Sequence, residues 1–241
     1  YYEPGMKVGT YVSKGITDFS LCLRHSDGSL AFDTYSFASE GYEKIVFDDE
    51  LVECVEYIHD NDGRVCAYFY VTSFSIQDPY LREMYKSYAL VLINEAVKAG
   101  VDDIMLVGLN IGEGNIDEAV DLASRAALCS SKTLVGVLVS PEVVKMTADG
   151  YYWAARLKQA CDYLALDMSS LNENADEIYA DVTDNNEENA GHGLSELELF
   201  HEETHYYINS YSMRIVLSKE NSSLYDSIVD LGASNIQVIG D

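Results

Sequence analysis

Two groups of residues in this sequence have the types and spacing to do chemistry. The first is His201-Glu202-Glu203-Thr204-His205, which satisfies H-E-x-x-H. On a helix, histidines at i and i+4 project to one side and can share a zinc ion, with the intervening glutamate polarising its water. The surroundings argue against that use. Glu203 adds a charge between the histidines, no G-x-x-H follows, and Glu220 would have to serve as a downstream third ligand. Leu197, Phe200, Thr204, Ile208 and Tyr211 also form a stripe that suits the inward face of an outer helix rather than a cleft. No metal and no cofactor is therefore expected. The second group is the carboxylate pair Glu113 and Asp167, the residue types needed for general acid and nucleophile or base work. Asp167 ends the apolar run Leu164-Ala165-Leu166, where a carboxylate needs a polar partner. Glu113, between Gly112 and Gly114, also suits an exposed loop, and Gly112-Glu113-Gly114 lacks the third glycine of a phosphate-binding turn. There is no G-x-S-x-G and no P-loop.

The elements that must position these residues follow from periodicity. Strand patterns run over Lys7–Val12, Asp18–Arg24, Arg64–Thr72, Asp103–Leu109, Thr133–Ser140, Tyr163–Met168, Met213–Leu217 and Asn235–Ile239. Between them lie helical patterns at Asp48–Asp60, Pro79–Ala99, Asn115–Ser130, Thr147–Ala160, Leu194–Tyr211 and Asn221–Leu231. Gly100 and Gly232 close helices, and Ser140-Pro141-Glu142 opens one. Alternating strands and helices imply parallel β-α-β units. Eight strands in 241 residues predict one (β/α)8 barrel over residues 1–241, with an open doubly wound sheet as the alternative. Only Ser13–Thr17 separates the first two strand patterns, too short for a crossover helix, so either the barrel opens irregularly or the strand count is off by one. Active sites of such barrels lie at the C-terminal strand ends, which nominates Arg24, Asp27, Tyr70, Asn110, Glu113 and Asp167.

Composition narrows the partners. With 15 Lys+Arg against 41 Asp+Glu the net charge is −26, a field that repels nucleic acid and anionic lipid. No apolar run approaches the ~18 residues of a membrane span. From Tyr163 to Met213 there is no Lys or Arg, and Asp181–Gly193 reads as an acidic, solvated loop without the alternate-residue ligands and central glycine of a calcium loop. The 5 cysteines, with no C-x-x-C, suit small buried hydrophobes in reduced form, which fits the cytoplasm or an anaerobic exterior. A start at Tyr1-Tyr2-Glu3-Pro4, without initiator Met or signal pattern, is expected of a processed or trimmed product. The 19 tyrosines, against 7 Phe and 1 Trp, offer rings with hydroxyl tips that suit stacking on sugars.

One further pattern carries a family resemblance. Asp78-Pro79-Tyr80, Tyr88 and the run Glu95-Ala96-Val97-Lys98-Ala99-Gly100-Val101-Asp102-Asp103-Ile104 resemble the "N/D-P-y…Y…A-k-e-a…G-F-D-E-I-q-F-D-Y-I-R-F-P" of a bacterial, envelope-associated glycosyl hydrolase family with a (β/α)8 barrel. His59-Asp60-Asn61-Asp62-Gly63-Arg64-Val65 resembles its "H-e-N-G-i-y-V". Leu21–Phe32, with Asp27-Gly28, is similar to its early "V-I-D-V-K-D-d-S-G" strand, and Cys161-Asp162-Tyr163 to its "s-D-Y-v-m-P-M". The likeness runs from Lys7 to about Ser169. It breaks at the acids: Val107 stands for the aspartate of F-D-Y-I-R, Asn110 for its arginine, and Cys22 for the early-strand aspartate. Neither Val nor Cys can protonate a glycosidic oxygen or attack an anomeric carbon.

The resemblance therefore implies a barrel without its family's acids, in the cell envelope of a bacterium, the cytoplasm staying open. Its expected role is carbohydrate or cell-wall glycan binding, or a structural and interaction role, through Arg24, Asp27, Tyr70 and Asn110. Two alternatives stand beside it: an active glycoside hydrolase with Asp167 and Glu113 as a relocated pair, and a zinc hydrolase at His201 and His205.

Overall fold

The computed structural model describes residues 4–28, 30–31, 50–71, 77–109, 111, 115–140, 143, 148–167, 214–218 and 236–239. The chain divides into two compact units, Tyr1–Leu138 with Gln159–Asp162, and Val139–Lys158 with Tyr163–Asp241.

The first unit runs α1 (Pro4–Val12), β1 (Asp18–Arg24), α2 (Glu50–His59), β2 (Arg64–Tyr70), α3 (Pro79–Ala99), β3 (Asp103–Val107), α4 (Ile116–Ala127) and β4 (Leu134–Val139), whose last residue belongs to the second unit. β1 pairs with β2, β2 with β3 and β3 with β4, all parallel. A strand covered on both faces reads as a continuous apolar run. Asp103-Ile104-Met105-Leu106-Val107 fits this: every residue of β3 is buried, and Ile104, Met105 and Leu106 are inaccessible.

α3 shows why these elements start and stop where they do. Asp78 caps it, its Oδ1 accepting from the backbone N–H groups of Tyr80 at 2.8 Å and Leu81 at 3.2 Å, and Pro79 supplies a helical φ in the first turn. Gly100, at φ 94°, ends it in the left-handed conformation. α3 then buries Ala89, Leu92, Ile93 and Ala96, and α4 buries Ala119, Leu122, Ala123 and Ala126. Both stripes follow the helical period.

At the N-terminal ends of the strands two aspartates repeat one arrangement. The Asp102 N–H donates to the Val65 carbonyl at 3.0 Å, while its carboxylate accepts from the Val65 N–H at 2.8 Å and lies 2.9 Å from His59 Nε2. Asp162 does the same to Val135, at 2.8 Å for each bond. Gly63 is required nearby: a Cβ there would lie 2.6 Å from the Thr17 carbonyl oxygen, which accepts from Arg64 N–H at 2.7 Å.

Between α3 and α4 lies a charged network. Lys86, with its side chain only 7% exposed, has Nζ 2.8 Å from Glu83, 2.7 Å from Glu118 and 2.8 Å from Asp121. Arg125 pairs with Glu83 at 2.6 Å and Asp121 at 3.4 Å, and Arg82 with Glu118 at 3.3 Å.

The second unit holds α5 (Ala148–Ala160), its last two residues excepted, then β5 (Tyr163–Asp167), β6 (Arg214–Ser218) and β7 (Ile236–Ile239). β5 pairs with β6 and β6 with β7, again parallel. The Arg214 guanidinium stacks on the Tyr163 ring, 3.6 Å from its centroid.

Seven of the eight strand patterns are strands. The exception is Lys7–Val12, which belongs to α1. Six residues, Lys-Val-Gly-Thr-Tyr-Val, cannot be assigned by period alone; Pro4 opens a helix, and Val8 is buried in it at 1% exposure. The strand count is thus off by one here, with a helix before β1. The patterns at Leu194–Tyr211 and Asn221–Leu231, and the acidic Asp181–Gly193 stretch, lie outside the described residues.

Candidate functional site

The C-terminal strand ends of the first unit bring together part of the nominated rim. β1 pairs residue for residue with β2 from Asp18↔Arg64 to Cys22↔Tyr68, after which Arg24 pairs with Phe69. One residue is therefore extra on β1, a bulge that re-aims the side chains beyond it. Past the bulge the chain turns at Gly28, φ 89°, whose N–H donates to the His25 carbonyl at 3.0 Å. It then returns, with an antiparallel bridge between Arg24 and Leu30 and a bond from Ala31 N–H to the Leu23 carbonyl at 3.0 Å.

Arg24 sits at the centre of this turn and is only 4% exposed. Its Nη1 donates to the carbonyl oxygen of Tyr70, the last residue of β2. Tyr70 itself is half-buried. Gly108, at φ 80°, lies beside it, where a Cβ would come within 3.6 Å of the Tyr70 ring and 3.5 Å of the Val71 carbonyl. Asp27 is exposed on the turn.

Cys22 is partly buried. Its Sγ–H donates to the Arg24 carbonyl at 3.6 Å, and Sγ lies 3.5 Å from His25 Nδ1. Burial, and then the nearby negative charge of Asp27, push the Cys22 thiol up to about 11. At neutral pH it is a protonated thiol, neither nucleophile nor general base. Val107 is 6% exposed at the end of β3, and its carbonyl accepts from Val71 N–H at 2.8 Å. These two strand ends thus present a thiol and an isopropyl group, neither of them a carboxylate.

Of the nominated residues, Arg24, Asp27 and Tyr70 share this end of the first unit. Asp167 ends β5 of the second, half-buried and paired in register with Val216. Asn110, Glu113, His201 and His205 lie outside the described residues. Among the described residues no group of three His, Cys, Asp or Glu is placed to hold a metal ion, and no helix is long and apolar enough to cross a membrane. The five cysteines form no disulfide; Cys54, Cys66 and Cys161 are buried. Sequence reasoning missed the Arg24–Tyr70 tie, because a bond across 46 residues leaves no local signal.

No family model matches the sequence, and no curated protein does. Solved structures resemble it at the level of fold. A GH113 β-1,4-mannanase matches with a TM-score of 0.56 at 13% identity, over 100% of this chain and 82% of that one. The spore cortex-lytic enzyme SleL of Bacillus cereus matches at 0.52 and 9% identity, over 90% of this chain and 47% of that one. A chitinase from Chromobacterium violaceum matches at 0.51 and 9% identity, over 90% and 65%. This chain therefore spans about half of the spore enzyme and about two thirds of the chitinase. At these identities the likeness is one of fold, a parallel β/α arrangement.

Proposed function

We propose that the chain is a single glycoside-hydrolase-like (β/α)8 barrel, spanning residues 1–241, that has lost its family's acids and binds carbohydrate in a bacterial cell envelope. Arg24, Asp27, Tyr70 and Asn110 make the binding rim. The observation that carries this reading is what stands at the two strand ends, the protonated thiol of Cys22 and the apolar Val107. A rim with an aromatic ring and polar neighbours but no acid pair can hold a sugar without cleaving it. The fold shared with a mannanase, a chitinase and a cortex-lytic enzyme supports a polysaccharide, and the net charge of −26 disfavours polyanionic partners.

The test is calorimetric titration of the purified chain with β-1,4-mannohexaose, chitohexaose and peptidoglycan fragments, with chromatography of the same mixtures. Binding without product is expected, weakened about tenfold by Tyr70→Ala, the scale of one lost stacking contact. Product that vanishes in Asp167→Asn would replace this reading with an active glycosidase using Asp167 and Glu113. Stoichiometric zinc lost in His201→Ala, together with chelator-sensitive hydrolysis, would replace it with a metallohydrolase. Binding to none of the three probes refutes the glycan role.

A further inference from the structure

The outer surface of α1 and α2 combines exposed apolar side chains with uncompensated charge. Tyr11, Ile16, Val52 and Tyr57 are each 41–45% exposed. Contacts link the two helices and the turn after α1: the Tyr57 hydroxyl lies 3.4 Å from where a Cβ on Gly9 of α1 would stand, and Ile16 N–H donates to the Tyr11 carbonyl at 3.2 Å. On α2 and just past its end, Val52, Glu53, Glu56, Tyr57 and Asp60 are all exposed and recur at the spacing of one helical face. Among the described residues, Glu53, Glu56 and Asp60 make no ion pair, whereas across α3 and α4 three carboxylates meet three cations. Lys14 lies 5.8 Å over the Tyr11 ring and pairs with none of these acids. A single exposed apolar residue is ordinary; several, interleaved with acids on adjoining helices, make a face suited to docking. The charge selects what docks. A second copy would bring another net −26 against this one and be repelled, while a segment with Lys and Arg beside an apolar stripe satisfies both features.

We propose that the α1–α2 face docks a basic amphipathic helix of a partner protein, whose apolar stripe covers Val52 and Tyr57 and whose Lys and Arg side chains face Glu53, Glu56 and Asp60. From Val52 to Asp60 the face is about 12 Å long, between two and three turns of a docked helix. In such an interface the apolar anchors supply most of the affinity, and the charges set orientation and make association salt-sensitive. No residue of the proposed glycan rim belongs to this face, so the inference does not rest on the glycan reading.

The probe is a synthetic helix of about 15 residues with Leu on one face and Lys on the other, long enough to be helical once docked. It is titrated into the whole chain at about 0.15 M salt and followed by amide chemical shifts. The expected result is binding whose shifts concentrate on α1 and α2. Tyr57→Ser should weaken it about tenfold and Glu56→Gln about threefold, the scales of one aromatic anchor and one exposed charge pair. Asp117→Asn, which removes an exposed charge from α4 instead, should leave it unchanged. If Tyr57→Ser does not fold, Val52→Ser takes its place. Equal weakening by Glu56→Gln and Asp117→Asn, or shifts spread over the whole surface, would reduce the effect to net charge and overturn the proposal. Absence of binding overturns it as well. So does a parent chain that sediments as a dimer with its α1 and α2 amides protected, which would make a second copy the occupant.

Discussion

Replacing Lys86 with Met removes one cation from the α3–α4 network while keeping a side chain of similar length. In the parent, Arg82, Lys86 and Arg125 face Glu83, Glu118 and Asp121, three charges of each sign. The variant leaves one negative charge uncompensated between two helices. Lys86 is 7% exposed, but its carboxylate partners are 50%, 31% and 44% exposed, so water screens each contact from one side. Three partly screened pairs at ~0.7 kcal/mol each suggest a loss of about 2 kcal/mol, below the 3–5 kcal/mol typical of breaking a fully buried pair. The loss should depend on pH. The hydrogen bond from Lys86, and then that from Arg125, hold the Glu83 carboxyl below its ordinary range. A depressed carboxylate stabilises the fold above its unfolded value, near pH 4.5, and that contribution disappears as pH falls through the lower folded value. Lys86 has the opposite sign. Burial alone would lower it, but hydrogen bonds to Asp121, Glu118 and Glu83 outweigh burial and hold its ammonium above the lysine range, so its share persists to strongly alkaline pH. Urea unfolding at pH 7 and pH 3 measures both effects: a midpoint shift worth about 2 kcal/mol at unchanged slope at pH 7, and a smaller one at pH 3. A change below ~0.5 kcal/mol at pH 7, or a stabilised variant, would show that desolvation cancels the network and refute this reasoning.

Gly63→Ala should cost about 2 kcal/mol or more by urea unfolding, because its Cβ would sit 2.6 Å from both the Thr17 carbonyl oxygen and Ile58 Cγ2, where β1 and β2 begin; a variant within 0.5 kcal/mol of the parent would disprove the contact. Alkylation of Cys22 by iodoacetamide, followed on its own peptide by mass spectrometry, should rise about tenfold per pH unit from pH 7 and level only near 11, since burial and Asp27 keep the thiol protonated. A plateau at or below pH 9 contradicts that environment.

Much of the fold was legible because it is built from long elements with clear ends. The pattern at Pro79–Ala99 coincides with α3, since Asp78, Pro79 and Gly100 mark both termini chemically. The buried runs around β2, β3 and β5 were legible for the opposite reason, having too few polar residues to be anything but covered strands. α1 was misread because six residues of mixed apolar and β-branched type satisfy either period. The site was less legible. Sequence placed Arg24, Asp27 and Tyr70 at strand ends, and the structure gathers those three in the first unit. The burial of Arg24 depends on a one-residue bulge and a return at Leu30, events decided by tertiary packing. The Lys86 network was half visible, as the i,i+3 pair with Glu83 and the i,i+4 pair of Asp121 with Arg125, but not the pairing of the two helices that joins them.

The paired aspartates at the strand starts bear on how such a chain can change over time. A parallel pair is joined by a long crossover, which cannot dictate alignment as a tight hairpin turn does. Here the alignment is written at the opposite end from the rim, by Asp102 gripping Val65 through both its backbone and its carboxylate. A one-residue slip would forfeit both bonds at once. With the strands keyed from below, the loops above are released from that duty and can lengthen, shorten or exchange residues without shifting the pleat beneath them. Such a scaffold can exchange the residues of its rim while its framework persists.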